Sequence, residues 1–135
     1  MKTTETEVRS ALRRMLANGP LTALPRRPRD LDVFLRLAAA RFDSGRLYSE
    51  PEVNELLQGW LEPFASPFGV DHVTVRRCLV DARLLIRDQA GSIYRRADKV
   101  SVSVGLEPAA IMAEVKLERE KRKRAHRAEL RARPR

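Results

Sequence analysis

Cysteine is almost missing from this chain. Cys78 stands alone, so no intramolecular disulfide can form, and a single thiol suits a reducing compartment. Aromatic residues are scarce, at 5% of the sequence, which leaves Leu, Val and Ala to build the core. The two histidines, His72 and His126, lie far apart. No Cys–Cys or His–Glu pair has the spacing of metal ligands, so neither a metal nor another cofactor is expected. No glycine-rich phosphate loop follows a strand-like run, and no Ser/His/Asp set is visible, which argues against an enzyme. No apolar signal core opens the sequence and no apolar run approaches the length of a membrane span. The expectation is a soluble cytoplasmic protein, nucleoid-associated if it binds DNA.

What the sequence has is positive charge, unevenly placed. At 135 residues it is long enough for one compact domain with appendages. Of its net charge of +9, residues 116–135 carry +7, from ten basic and three acidic side chains. The high pI is therefore mostly a property of the C-terminal segment. Such a one-sided run attracts polyanions through counterion release, whatever their sequence. A solvated, self-repelling helix that keeps the protein soluble is the plainer reading. Arginine outnumbers lysine 22 to 5, which a GC-rich genome explains as well as phosphate recognition does.

Apolar spacing divides the chain into elements. In residues 5–18, Val8, Ala11, Leu12, Met15 and Leu16 share one helical face, and Gly19-Pro20 ends the helix. Residues 20–29 carry prolines and arginines and read as an extended connector. Asp30 is a candidate N-cap for a second helix whose stripe is Leu31, Phe34, Leu35, Ala38 and Phe42. A short extended piece, 46–49, precedes Ser49-Glu50-Pro51-Glu52, which has the form of a capping box. The third helix then buries Val53, Leu56, Leu57, Trp60 and Leu61. Phe64 and Phe68, in the loop at 62–69, are expected to lie over the core. In the fourth helix Val75, Cys78, Leu79 and Ala82 form the buried face, so Val73, Arg76, Arg77, Val80 and Arg83 point away from it, with Thr74 at the flank.

"LLIRD" and "SIYRR" flank a hairpin-sized turn, and "KVSVSV" (99–104) alternates like a further strand. After Pro108 a last helix is supported by Glu118–Arg122 and Glu120–Arg124 spacing, loses its apolar face after about Leu117, and is basic nearly all round beyond it.

Helix, short strand, helix, helix, strand, turn, strand is the element order of a winged helix-turn-helix. The expected fold is therefore mainly α with a small β-hairpin wing, plus an extra N-terminal helix and a long basic C-terminal helix. The expected organisation is an N-terminal helix (1–19), a connector (20–29), a winged-helix domain (30–97), a strand or linker (98–105) and a basic helix or tail (106–135).

In that frame the helix at 71–83 is the recognition helix. Arg76 and Arg77 carry the donors that fork onto guanine or phosphate; Thr74 suits a phosphate or a thymine methyl, and His72 a phosphate. On the wing, Arg87, Arg95 and Arg96 are placed to grip the backbone, with Ser92 at the tip. Ser49, at the start of the third helix, could hold a phosphate. The tail offers Arg119, Lys121, Arg122, Lys123, Arg124 and Arg127.

Against this, Arg77 and Asp81 are spaced as a surface ion pair, Val73 and Val80 are poor groove-facing residues, and Glu50, Glu52 and Glu55 repel phosphate if they face it. The competing reading is a protein-interaction or dimerisation module, with the 71–83 face buried in an interface. Duplex DNA is the expected partner, and a homodimer through the N- or C-terminal helix is the second. RNA is a third option, weakened by the lack of paired exposed aromatics.

"LPRRPRDLDVFLRLAAARFDSGRLYSEPEVNELL" and "DHVTVRRCLVDARLLIRDQAGSIYRR" together resemble the bacterial domain of unknown function numbered 2087. The resemblance covers about residues 24–96. It rests on Tyr48, Glu50 and Glu52-Val53-Asn54, and on Arg76-Arg77 with Leu79-Val80-Asp81. It implies a helix-turn-helix-like domain of the kind joined to DNA-binding regulators in transcription. The segment "EPFASPFGV" is longer than the family's usual connection, and the piece near Leu24 is Arg-rich where the family is Lys-rich.

Overall fold

A computed structural model describes residues 4–66, 68–98, 100 and 106–133. The chain is mainly helical, with five helices and a three-stranded antiparallel sheet. In order these are α1 (Glu5–Met15), α2 (Pro28–Ala39), β1 (Tyr48–Ser49), α3 (Glu50–Leu61), α4 (His72–Asp81), β2 (Leu85–Arg87), β3 (Ile93–Arg96) and α5 (Pro108–Ala132). No helix among the described residues is long and apolar enough to cross a membrane. The strand expected at 99–104 lies outside the described residues except for Val100, which is half-buried against the core.

The sheet order is β1–β3–β2, so the short extended piece before α3 closes one edge of the hairpin. Tyr48 pairs with Tyr94, and Leu85 with Arg96. This register turns Tyr48, Tyr94 and Leu85 into the core, where all three are buried. They join Phe34, Phe42, Val53, Leu57, Val75 and Leu79 in one cluster.

A second cluster gathers Val8, Ala11 and Leu12 of α1, Val33 and Leu37 of α2, and Ile111 and Val115 of α5. Helix α2 serves both clusters. It is buried over most of its circumference, not along the single stripe its spacing predicts: Val33, Leu37 and Ala39 are buried as well, and Leu31 only half so.

Local signals were mostly sufficient. The capping box forms: Ser49 Oγ accepts from the Glu52 amide at 3.3 Å, and the Glu52 carboxylate accepts from the Ser49 amide at 3.0 Å. That uses the Ser49 hydroxyl as an acceptor within the helix cap.

Asp30 is not the N-cap of α2. The helix begins at Pro28, whose fixed φ suits the first turn, and the buried Asp30 instead accepts from Arg14 of α1 at 2.7 Å. The connector is tied down at Leu21, whose amide donates to the Phe64 carbonyl at 2.9 Å while its carbonyl accepts from Ser66 at 2.7 Å. Phe64 is buried as expected, whereas Phe68 is wholly exposed, which corrects the expectation that both phenylalanines lie over the core.

Helix α4 is capped by Asp71, whose carboxylate accepts from the Val73 amide at 2.9 Å. It ends in a Schellman arrangement: the Leu84 amide donates to the Leu79 carbonyl at 2.9 Å and the Arg83 amide to Val80 at 3.0 Å. Arg83 occupies the left-handed position there, with φ +61°, where glycine is usual. Ala82, expected in the buried face, is exposed, because the helix ends at Asp81 before that position can reach the core.

Candidate nucleic-acid interface

The two arginines of α4 have different fates. Arg76 does not point outward. Its guanidinium lies against α3, donating to Asn54 Oδ1 at 2.6 Å and pairing with Glu50 at 3.0 Å, and its side chain is only 13% exposed. The helix is rotated so that its open face is Thr74, Arg77 and Asp81, while Val73 and Val80 are half-buried and Val80 packs on the core. This corrects the outward placing of Arg76 and of the valines.

Arg77 is exposed and has no hydrogen-bond or ion-pair partner among the described residues; the pair with Asp81 does not form. Thr74 Oγ1 sits 3.5 Å from the Asp71 carboxylate. His72 is half-buried, its Nδ1 lying 3.6 Å from Asp71. Cys78, also half-buried, has its thiol pushed up by desolvation and then by the charge of Asp81, which leaves it protonated and unreactive near neutrality.

On the hairpin the expected set also divides. Arg87 is exposed and unpaired among the described residues, its stem running beside Gly91 at the tip. Ser92 is exposed, with its amide and hydroxyl bonded to Asp88 at 2.8 Å and 3.3 Å. The Ile93 amide, which donates to the same carboxylate at 3.1 Å, and then these Ser92 bonds hold the Asp88 carboxyl below the ordinary carboxylate range. Arg95 lies 3.7 Å from Asp98. Arg96 is turned inward, donating to the Phe42 carbonyl at 3.1 Å beyond the end of α2, so it braces the sheet and is not free to grip a backbone.

Helix α5 is two things in one. Its first half is held to α1 by Ile111 and Val115 and by ion pairs of Glu114 with Arg9 at 3.0 Å and of Glu118 with Arg13. The Glu118 carboxyl is held low by Arg13, so the expected pair with Arg122 is replaced by one across helices. Arg119 belongs to this anchor, since it donates to the Ala17 carbonyl at 2.7 Å and to Asn18 at 3.1 Å. Its expected place among the free tail cations is thereby corrected.

From Glu120 to Arg133 every residue is exposed. This stretch carries seven basic and two acidic side chains, among them Lys121, Arg122, Lys123, Arg124 and Arg127. It extends roughly 20 Å past the last anchored turn.

No group of three or more His, Cys, Asp or Glu among the described residues could hold a metal ion. An open cavity of about 580 Å³ lies between the end of α3 and the start of α4, lined by Leu61, Ala65 and Val70 with Gln58, Glu62 and His72 at its rim. Expectation from the sequence missed Glu50 and Asn54 as the partners of Arg76. Two signals pointed to them: their spacing, four apart on α3, which sets both on one helical face, and their place with Arg76 in the two motif blocks.

The family model described as "Uncharacterized protein conserved in bacteria (DUF2087)" matches residues 20–96. The chain belongs to that family. The match spans α2 to β3 and stops short of α1 and α5, the two helices that pack on each other. The Glu50, Asn54 and Arg76 cluster joins the two motif blocks of this DUF2087 domain in space. No curated protein and no solved structure matches the chain.

Proposed function

We propose that this protein binds duplex DNA, as a transcriptional regulator or a nucleoid-type binder, with the DUF2087 domain acting as a winged helix and α5 as a cationic arm. The observation that carries the reading is the projecting half of α5, wholly exposed and with seven basic against two acidic residues. A helix that packs on nothing and repels itself is suited to a polyanion, whose condensed counterions it displaces on binding. The order α2–β1–α3–α4–β2–β3 and the edge pairing of β1 support the winged-helix part. Neither α1 nor α5 covers the face of Thr74 and Arg77, which leaves it open to a groove. Anisotropy of a labelled mixed-sequence duplex, titrated at increasing salt, tests the reading. Binding whose logarithm falls steeply with the logarithm of salt supports it; no binding at low salt removes it.

One observation favours a second reading, a protein-interaction or dimerisation module. With Arg76 neutralised by Glu50, the α4 face carries Arg77 and Asp81 in balance beside two half-buried valines, a weakly charged surface. Light scattering separates the two: a dimer without duplex affinity favours interaction.

A further inference from the structure

Most arginines in the body of the chain are already engaged. They donate to carboxylates, as Arg9, Arg14 and Arg41 do, to the side chains of α3, as Arg76 does, or to a backbone carbonyl, as Arg96 does. Among the described residues before α5, five have no such partner: Arg26 and Arg27 in the connector, then Arg77, Arg83 and Arg87. The last three follow one another along the end of α4, its cap and the first strand of the hairpin, and all are exposed.

The acids near them do not neutralise them. Asp81 makes no ion pair among the described residues, and the Asp88 carboxylate is turned into its own turn by Ser92 and Ile93. The middle arginine is also the one non-glycine residue with positive φ among the described residues. A side chain at φ +61° is strained, and glycine would close the same Schellman motif without that strain. Strain kept where a cheaper residue exists points to a use for the side chain.

We propose that Arg83 is a phosphate-contacting residue, which with Arg77 and Arg87 lines a cationic track for one strand of a nucleic-acid backbone at the helix–hairpin junction. The proposal rests on the duplex-binding reading above and extends it to a residue just past the end of α4 at Asp81 and before the wing strands. The ligand chemistry is the phosphodiester, not a base edge, because the position is at the helix end and its side chain is free to swing. Arg83 contributes one charge to the counterion release and no sequence preference.

Arg83→Gly separates this role from a structural one, because the two predict opposite signs. Relief of the strained backbone is expected to raise the melting temperature by about 2–4 °C. Loss of a phosphate contact is expected to weaken binding to a labelled mixed-sequence duplex roughly three- to tenfold, and to lower the log–log salt slope by about 1. Arg83→Lys keeps both charge and strain, and is expected to keep most of the affinity. If the wild-type chain binds and Arg83→Gly binds equally well with the same slope, the assignment is wrong while duplex binding stands. A lowered melting temperature with unchanged binding makes Arg83 a helix-end stabiliser and overturns it too. If the wild-type chain binds no duplex at low salt, the duplex-binding reading fails first and this one with it.

Discussion

Arg76 of α4 is held by Glu50 of α3 at 3.0 Å, and Asn54, one turn further along α3, accepts a second bond from the same guanidinium at 2.6 Å. This fork fixes the angle at which α4 leaves α3, and hence the direction in which Thr74 and Arg77 face. Adjacent arginines therefore do different work: one positions the helix and the other is presented by it.

Arg76→Ala is expected to lower the unfolding free energy by about 1–2 kcal/mol, since it strands Asn54 and leaves a half-buried carboxylate without its partner. Arg77→Ala removes nothing that the fold uses, and its cost is expected to stay within about 0.5 kcal/mol. Urea unfolding of both variants beside duplex titrations checks the division. Arg77→Ala should weaken binding at unchanged stability, and equal losses of stability would show that the two arginines share a structural role.

The helix caps and the hairpin were legible in the sequence because they are written locally. Ser49 and Glu52 are three residues apart, and each satisfies the other's orphan amide without help from elsewhere in the chain. The inward turn of Arg76 was not legible. A helical wheel gives the angle of a side chain but not its partner, and Arg76 stands beside Val75 at the margin of the buried face. The same holds for Asp30, drawn inside by Arg14 sixteen residues earlier, and for Glu118, taken from its neighbour Arg122 by Arg13 on another helix. In the last two cases a local cap or ion pair competed with a long-range one, and packing of α1 decided it. The basic arm was legible for the opposite reason: nothing packs on it, so composition alone describes it.

Gly69 is fixed by a close approach. A Cβ there would run into the Thr22 carbonyl, where the connector crosses the α3–α4 loop. Gly69→Ala must push the connector off the loop, and is expected to cost about 2–3 kcal/mol. Gly59, in the exposed part of α3, has open space around it, so Gly59→Ala is expected to stabilise by about 0.5–1 kcal/mol through helix propensity. Thermal melts of the two variants should move in opposite directions. A neutral Gly69→Ala would mean that the connector is free to shift.

The capping box also sets an acid limit. Bonds from the Ser49 amide and then its hydroxyl region hold the Glu52 carboxyl below its ordinary value of 4.5. A carboxyl with a lowered folded-state pKa adds stability that is complete above its unfolded value and is lost as pH falls through the folded one. Stability should therefore be level near neutrality and decline below about pH 4.5, with Asp88 and Glu118 acting in the same direction. Glu52→Gln should lower the urea midpoint at neutral pH and shrink the fall between neutral and acid conditions, whereas Ser49→Ala would keep the backbone amide that acts most on this carboxyl. An unchanged acid-dependent fall in Glu52→Gln would place the sensitivity in the other two carboxylates.

The arm on α5 can be removed without touching either core. Its last buried residue is Val115 and its last tie to α1 is Arg119, so a chain ending at residue 119 keeps every contact that anchors the helix. Truncation there is expected to leave the urea midpoint nearly unchanged while it removes the exposed stretch that begins at Glu120. If that stretch meets phosphates, each lost contact takes about 0.9 from the log–log salt slope, and several contacts weaken binding by orders of magnitude at low salt. What affinity remains then belongs to α4 and the hairpin, and only that remainder should respond to Arg77→Ala. A truncated chain that binds the duplex as tightly as the full one, with the same slope, would put the whole interface on the DUF2087 domain and leave the arm as a solvated extension.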